Sequence, residues 1–163
     1  MFHSDTYGKL ELTQIPDKIT DYFNRMKHYD VPLQIIVGTD SQNFSDTKMV
    51  SVIAVICEGH GGIFFYEISH KDRIKDVRVK LTTETAESLE LITRLVDLLK
   101  ADKYEALRQN SLMELHIDAG YSDIGKTKEL IPMLTGWVRA CGYDCKVKPE
   151  SFTASSIADK ISK

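Results

Sequence analysis

A chain of 163 residues with 42% hydrophobic side chains has enough apolar surface for one core, and it fits a single domain over 1–163. Its net charge of −3 excludes a protein that coats nucleic acid by bulk charge, while leaving room for a local basic patch. Cys57, Cys141 and Cys145 lack metal-type spacing and read as reduced thiols of a cytoplasmic protein, with no signal-peptide core and no membrane-length apolar run.

Residues 1–12 read as a loose entry segment. Ile15, Ile19, Phe23 and Met26 recur at helical spacing, with Thr13 as N-cap and Pro16 in the first turn, which predicts a helix over 13–28. Residues 1–30 thus form an N-terminal helical extension. Pro32 opens an apolar run over 33–37 suited to a central strand. Residues 41–48 are polar and read as a loop. Strands follow over 49–57 and 63–68, with Glu58-Gly59-His60-Gly61-Gly62 as hairpin punctuation.

After a basic run over 71–80, a helix is predicted over 82–101 from the stripe Leu89, Ile92, Leu95, Val96 and Leu99. A strand over 112–117 leads into a glycine-containing loop over 119–125. A helix over 126–141 contains Pro132, which predicts a kink or a late start, and Gly142 caps its end. A short strand over 143–148 and a helix over 153–161 complete the order. Hairpins first and crossover helices later predict an α/β fold, a mixed five-stranded sheet flanked by helices.

Four acidic residues fall at telling places in this order. Asp40 follows Ile35-Ile36-Val37-Gly38-Thr39, Glu84 opens the long helix, Asp118 follows Leu115-His116-Ile117, and Asp159 lies in the last helix. Carboxylates that converge repel one another, so such a cluster implies cations. For the helix position, Glu84 is preferred because it lies four and five residues before Ser88 and Leu89 on the sheet-facing stripe. Glu87 is intermediate and stays in contention, whereas Glu90 aligns with Arg94 on the polar face. His116 and Asp118 alternate to one strand face, and His116 reads as packed or hydrogen-bonded. His60 and His70 read as solvated. Thr39, Ser41 and Gln42 serve turn or hydrogen-bonding roles.

Three motifs carry a family resemblance: Val37-Gly38-Thr39-Asp40-Ser41-Gln42, Leu115-His116-Ile117-Asp118-Ala119-Gly120, and Ala154-Ser155-Ser156-Ile157-Ala158-Asp159-Lys160-Ile161. Their order and spacing resemble the ribonuclease H-like superfamily, and within it the YkuK-type bacterial branch, over roughly 31–162. The resemblance implies a ribonuclease H-like fold in which Asp40, Glu84, Asp118 and Asp159 bind two Mg2+ or Mn2+ ions. It implies a nuclease acting on RNA or DNA phosphodiesters, with no membrane role. Magnesium takes carboxylate, water and phosphate oxygens, and a pair of ions serves in-line displacement. The basic run Lys71, Arg73, Lys75, Arg78 and Lys80 then suits phosphate contact beside the site.

A second motif competes. Gly120-Tyr121-Ser122-Asp123-Ile124-Gly125-Lys126-Thr127 matches the phosphate-loop pattern between a strand and a helix. It offers an alternative reading as an ATPase or GTPase using Lys126 and Thr127. Against that reading, the segment after Thr127 has one short polar strand and no apolar strand ending in Asp. A noncatalytic nucleic-acid-binding module of the same fold is a third reading.

Overall fold

The computed structural model describes residues 1–120 and 125–162, with the side chains of Lys126, Phe152, Ser155, Asp159 and Ser162 outside that description. Its strands are β1 (Phe2–Ser4), β2 (Gly8–Leu10), β3 (Leu33–Asn43), β4 (Thr47–Cys57), β5 (Gly62–Lys71), β6 (Ser111–Gly120) and β7 (Asp144–Lys148). Its helices are α1 (Ile15–Met26), α2 (Val77–Leu99), α3 (Glu105–Gln109), α4 (Lys126–Ala140) and α5 (Phe152–Ser162). The strands join in one sheet, in the order β2-β1-β5-β4-β3-β6-β7. β6 runs parallel to β3 and β7 parallel to β6, while every other pairing is antiparallel.

The mixed sheet with helices on its faces is the expected architecture, but it has seven strands rather than five. The two additions come from the N-terminal segment that reads as a loose entry. β1 and β2 are three residues each, too short to show a period of two in sequence. They close a small hairpin with Phe2 opposite Leu10, both buried, and β1 extends the sheet beyond β5 through His3 opposite Tyr66. α1 follows after a 3-10 turn at Leu12–Gln14, and its N-cap is Gln14 rather than Thr13. Pro132 sits inside α4 without ending it.

Two boundaries matter for function. Residues 41–48 are strand at both ends: β3 continues through Asn43 and β4 begins at Thr47, leaving a tight turn at 44–46. Ser41 and Thr47 are buried polar residues within the strands, while Asn43 and Ser45 are exposed, and the run of polar residues therefore reads as loop. α2 starts at Val77, not at 82, because the Asp76 side chain accepts from the Arg78 and Val79 backbone amides. Glu84 therefore lies two turns inside the helix. The approach to α2 is pinned: Thr47 Oγ1 accepts from the Ile74 amide at 2.8 Å, and Asn43 Nδ2 donates to the Ile74 carbonyl at 2.9 Å.

β3 is buried on both faces, so its apolar residues run nearly without interruption. Leu33, Ile35 and Val37 join the larger core with α1, α2 and α4, while Ile36 joins Val50, Val52 and Ala54 beneath Ala154 and Ala158 of α5. Gly38 lets α5 come close: a Cβ at this position would lie 2.6 Å from the Cβ of Ala154. Gly38→Ala is expected to lower the unfolding free energy by ~1–3 kcal/mol through overpacking. Combining it with Ala154→Gly should recover part of that loss in a urea-denaturation double-mutant cycle. Strict additivity of the two changes would show that the helix does not rest on this glycine.

Candidate active site

β3 and β6 run parallel with Gly38 opposite His116, so their carboxyl ends lie side by side. Two residues beyond that pair stand Asp40 and Asp118, both half-buried. Alternation directs Thr39 and Ser41 toward α2 and Asp40 to the opposite face. Ile117 and Ala119 likewise belong to the core shared with α2, which leaves Asp118 on the face of Asp40. The carboxyl ends of parallel strands are where α/β sheets place ligands. β6 continues to Gly120, so Asp118 sits inside the strand rather than after it, where the register with β7 shifts between His116 and Gly120.

α2 supplies the third carboxylate. Glu84 is buried, and Ser41 Oγ donates to its Oε1 at 2.5 Å. One turn along, Ser88 Oγ donates to Thr39 Oγ1 at 2.9 Å, and Thr39 Oγ1 lies 3.0 Å from Ser51 Oγ of β4. These hydroxyls satisfy one another where α2 crosses β3 and β4, and they fix the height of Glu84 over the strand. Burial drives the Glu84 pKa up to about 8; the Ser41 hydrogen bond pulls against this, Asp40 and Asp118 push it higher, and Lys80 opposes them.

Asp40, Glu84 and Asp118 line one cleft of about 240 Å³, joined by Lys80, Leu81 and Thr127. Glu87 is not on it: its Oε1 pairs with Lys71 Nζ at 2.6 Å. Asp118 Oδ1 is met by Lys148 Nζ at 3.2 Å. Among the described residues, no group of three or more His, Cys, Asp and Glu side chains closes on one point as a metal cage does. The carboxylates share the cleft without converging further. Asp159 belongs to α5, which packs on this face through Ala154 and Ala158, but its side chain lies outside the described residues. Lys126 likewise lies outside, as do residues 121–124 of the glycine motif, whose described part ends β6 at Gly120 and begins α4 after Gly125.

Several participants are hard to see in sequence. Lys80 stands four residues before Glu84, a spacing that places both on one helix face, but a helix begun at 82 hides it. Ser41, for which turn and hydrogen-bonding roles both stand open in the sequence, is the hydrogen-bond donor to Glu84. Thr127 reaches the cleft because α4 starts beside the end of β6. His116 is buried and packed as expected, its Nε2 3.0 Å from Glu114 Oε1, while its buried Nδ1 has no hydrogen-bond partner among the described residues. His60 stacks on Tyr29 at the surface, and His70 pairs with Asp46 at 2.7 Å.

A family model described as ribonuclease H-like matches residues 14–163. The chain is 33% identical over 135 residues to the uncharacterized protein YkuK of Bacillus subtilis (strain 168), an alignment covering 78% of this chain and 77% of that protein. Among solved structures, the Mos1 transposase catalytic domain, determined with raltegravir and Mg, aligns with 84% of this chain at 10% identity and a TM-score of 0.31. The chain spans 62% of that transposase chain. No helix among the described residues is long and apolar enough to cross a membrane.

The raised Glu84 pKa fixes a sign for stability against pH. The folded state holds this proton more tightly than the unfolded chain, so the contribution is fully present below pH 4.5 and is lost as pH rises through about 8. His116, whose pKa burial lowers from 6.5, acts with the opposite sign below that value. Between pH 6.5 and 8, in chelator, the wild-type unfolding free energy should therefore fall by up to ~1.4 kcal/mol per pH unit. Glu84→Gln should flatten that slope in urea titrations. A slope that persists unchanged in Glu84→Gln assigns the titration to another group.

Proposed function

The chain belongs to the ribonuclease H-like family, and from that premise we propose that it is a divalent-metal-dependent nuclease that hydrolyses RNA or DNA phosphodiesters. The observation that carries the proposal is the meeting of Asp40, Glu84 and Asp118, from two strands and a helix, on one cleft at the carboxyl ends of β3 and β6. A buried glutamate beside two aspartates, its pKa pushed up to about 8, keeps a proton at neutral pH that a bound cation would displace. The donors are all carboxylate oxygens, a set that suits Mg2+ or Mn2+ rather than a soft ion.

Asp40, Glu84 and Asp118 would hold the metal, with Asp159 as the fourth ligand and two ions as the full complement. Bound there, the cations supply the positive charge that polarises a phosphodiester and lowers the pKa of an attacking water. The chain's own groups do the rest. Ser41 fixes the Glu84 carboxylate, so the donor does not have to be ordered when substrate arrives. Lys80 on the cleft wall faces the carboxylates with a positive charge suited to a non-bridging phosphate oxygen. Lys148, paired with Asp118, balances part of that aspartate's charge when no cation does so.

Thr127 on the same cleft supports a second reading, in which a nucleoside phosphate binds beside α4. Nucleotide titration separates the two: ATP or GTP binding lost in Lys126→Ala and Thr127→Ala, without any metal-dependent cleavage, would favour it.

With Mg2+ or Mn2+, the protein should cleave at least one member of a panel of single-stranded, duplex and hybrid substrates. Asp40→Asn and Asp118→Asn should each reduce the rate by more than ~100-fold, since outer-shell partners of metal ligands alone are worth ~10–100-fold. Cleavage that survives Asp40→Asn rejects the mechanism. The melting temperature offers an independent readout. Either ion should raise it, a ligand at 100 times its Kd being worth ~2.7 kcal/mol. Asp40→Asn or Asp118→Asn should shrink that rise while relieving repulsion in the metal-free protein. Wild type that does not respond to metal, with both variants melting lower, would make these acids structural.

A further inference from the structure

Across α5 from the carboxylates, the same sheet face is uncovered over β5. Phe64 and Tyr66 form an aromatic floor there, and Ile157 and Ile161 of α5 form a wall, enclosing a groove of about 380 Å³. A second hollow of about 320 Å³ continues it past Phe64 and Ile157 toward the β4–β5 turn. The rings form a row: Phe64 and Tyr66 have centroids 6.4 Å apart, and His3 of β1 stacks on Tyr66 at 5.4 Å. The groove has few polar groups, and they are of distinct kinds. Lys160 and Asp5 line it, both exposed, and Lys9 lies beside His3 in the strand register.

We propose that this groove binds unpaired nucleotides of a single-stranded nucleic acid. The size is that of a small-ligand site, with apolar walls and a few placed polar groups. Every base has a π-face, so an aromatic floor holds bases irrespective of sequence, while duplex bases are already stacked on one another. Lys160 and Lys9 supply positive charge for the phosphates that follow the bases out of the groove, and the Asp5 carboxylate accepts from an exocyclic amino group.

The sheet register connects the groove to the cleft. Asp40 pairs with Val50, Val50 with Ile68, and Tyr66 lies two residues along β5. Strand spacing of ~4.8 Å and a rise of ~3.3 Å per residue put Tyr66 roughly 12 Å from Asp40. α5 packs on β3 and β4 between the two, so a strand linking groove and cleft passes around the helix and is longer than the roughly four stacked nucleotides that this straight line measures. The path passes the Ile161 end of α5, where Lys48 Nζ donates to the Ile161 carbonyl at 3.0 Å. The groove stands on its own rings and charges; only its role in presenting an unpaired strand to the cleft rests on the nuclease reading.

The test is fluorescence anisotropy in chelator, with labelled single-stranded DNA and RNA and a duplex of the same sequence. The single strand should bind more tightly than the duplex, and Tyr66→Leu should raise its Kd about tenfold, the loss of one stacked base. A 2-aminopurine in the strand should be quenched by wild type and not by Tyr66→Leu. Lys160→Gln, a surface change, should lower the slope of log Kd against log salt by about one. Wild-type Kd in folded Tyr66→Leu overturns the proposal. If Tyr66→Leu does not fold, an unchanged salt slope in Lys160→Gln overturns it instead. Self-association abolished by these substitutions also overturns it, by assigning the face to a second copy of the chain. Binding as expected with no cleavage under either metal sinks the nuclease reading and leaves the groove intact.

Discussion

The buried Glu84 carboxylate, held by one hydroxyl of β3, is the constraint around which this molecule is arranged. A charged carboxylate is costly in a low-dielectric site, and here two neighbouring aspartates add to that cost. Something must hold α2 down against it. Leu81, Leu89, Leu91, Ile92, Leu95 and Leu99 are all buried on the same helix. At ~1.5–3 kcal/mol for each large aliphatic side chain, their burial exceeds the several kcal/mol that a pKa near 8 represents. The helix therefore carries the glutamate into place, and the hydroxyl chain of Ser88, Thr39 and Ser51 sets its register.

The cleft draws on both faces of the sheet, which is possible only at its end. Ser41 and Glu84 belong to the α2 side, and Asp40 and Asp118 to the α5 side. In mid-sheet, the backbone layer itself would separate such groups and leave no common space for a ligand. Beyond Gly38 and His116 the pairing of β3 with β6 stops, and side chains from either face approach the same space. The Thr47 and Asn43 contacts to Ile74 extend this logic to the chain entering α2. By tying that link to the β3–β4 turn, they start the helix at the sheet's end, and Lys80 arrives on the cleft wall as a consequence.

What was legible in the sequence divides along physical lines. β4 and β5 read correctly because their apolar runs and the Gly59-His60-Gly61-Gly62 turn report local chemistry. α2 announced itself by its stripe, but its true start depended on Asp76 capping a turn of alternating valines and cations, a pattern that resembles an exposed linker. β1 and β2 were invisible because three-residue strands are held by their partners rather than by propensity. The cleft acids Asp40, Glu84 and Asp118 could be singled out as ionisable groups at element ends. The partner of Ser41 could not, since a serine after Gly-Thr-Asp suits a turn as well as a hydrogen bond until the strand is seen to continue through it.

α5 gives the fold a second consequence. Two alanines, Ala154 and Ala158, face the sheet, and Gly38 beneath them has no side chain, so the helix lies close on β3 and β4. A helix so close to these central strands cannot also cover β5 on the same face. Its larger residues, Ile157 and Ile161, fall at the margin, where they become a wall against Phe64 and Tyr66 instead of core. The small residues that let the helix dock thus determine how much of the sheet it leaves open. The aromatic side chains on that open strip are tolerable in water only as single, spaced exposures or as a surface with an occupant. Their row across β5 and β1, bordered by lysines, is contiguous rather than scattered, and that contiguity distinguishes a binding face from the ordinary apolar content of a protein surface.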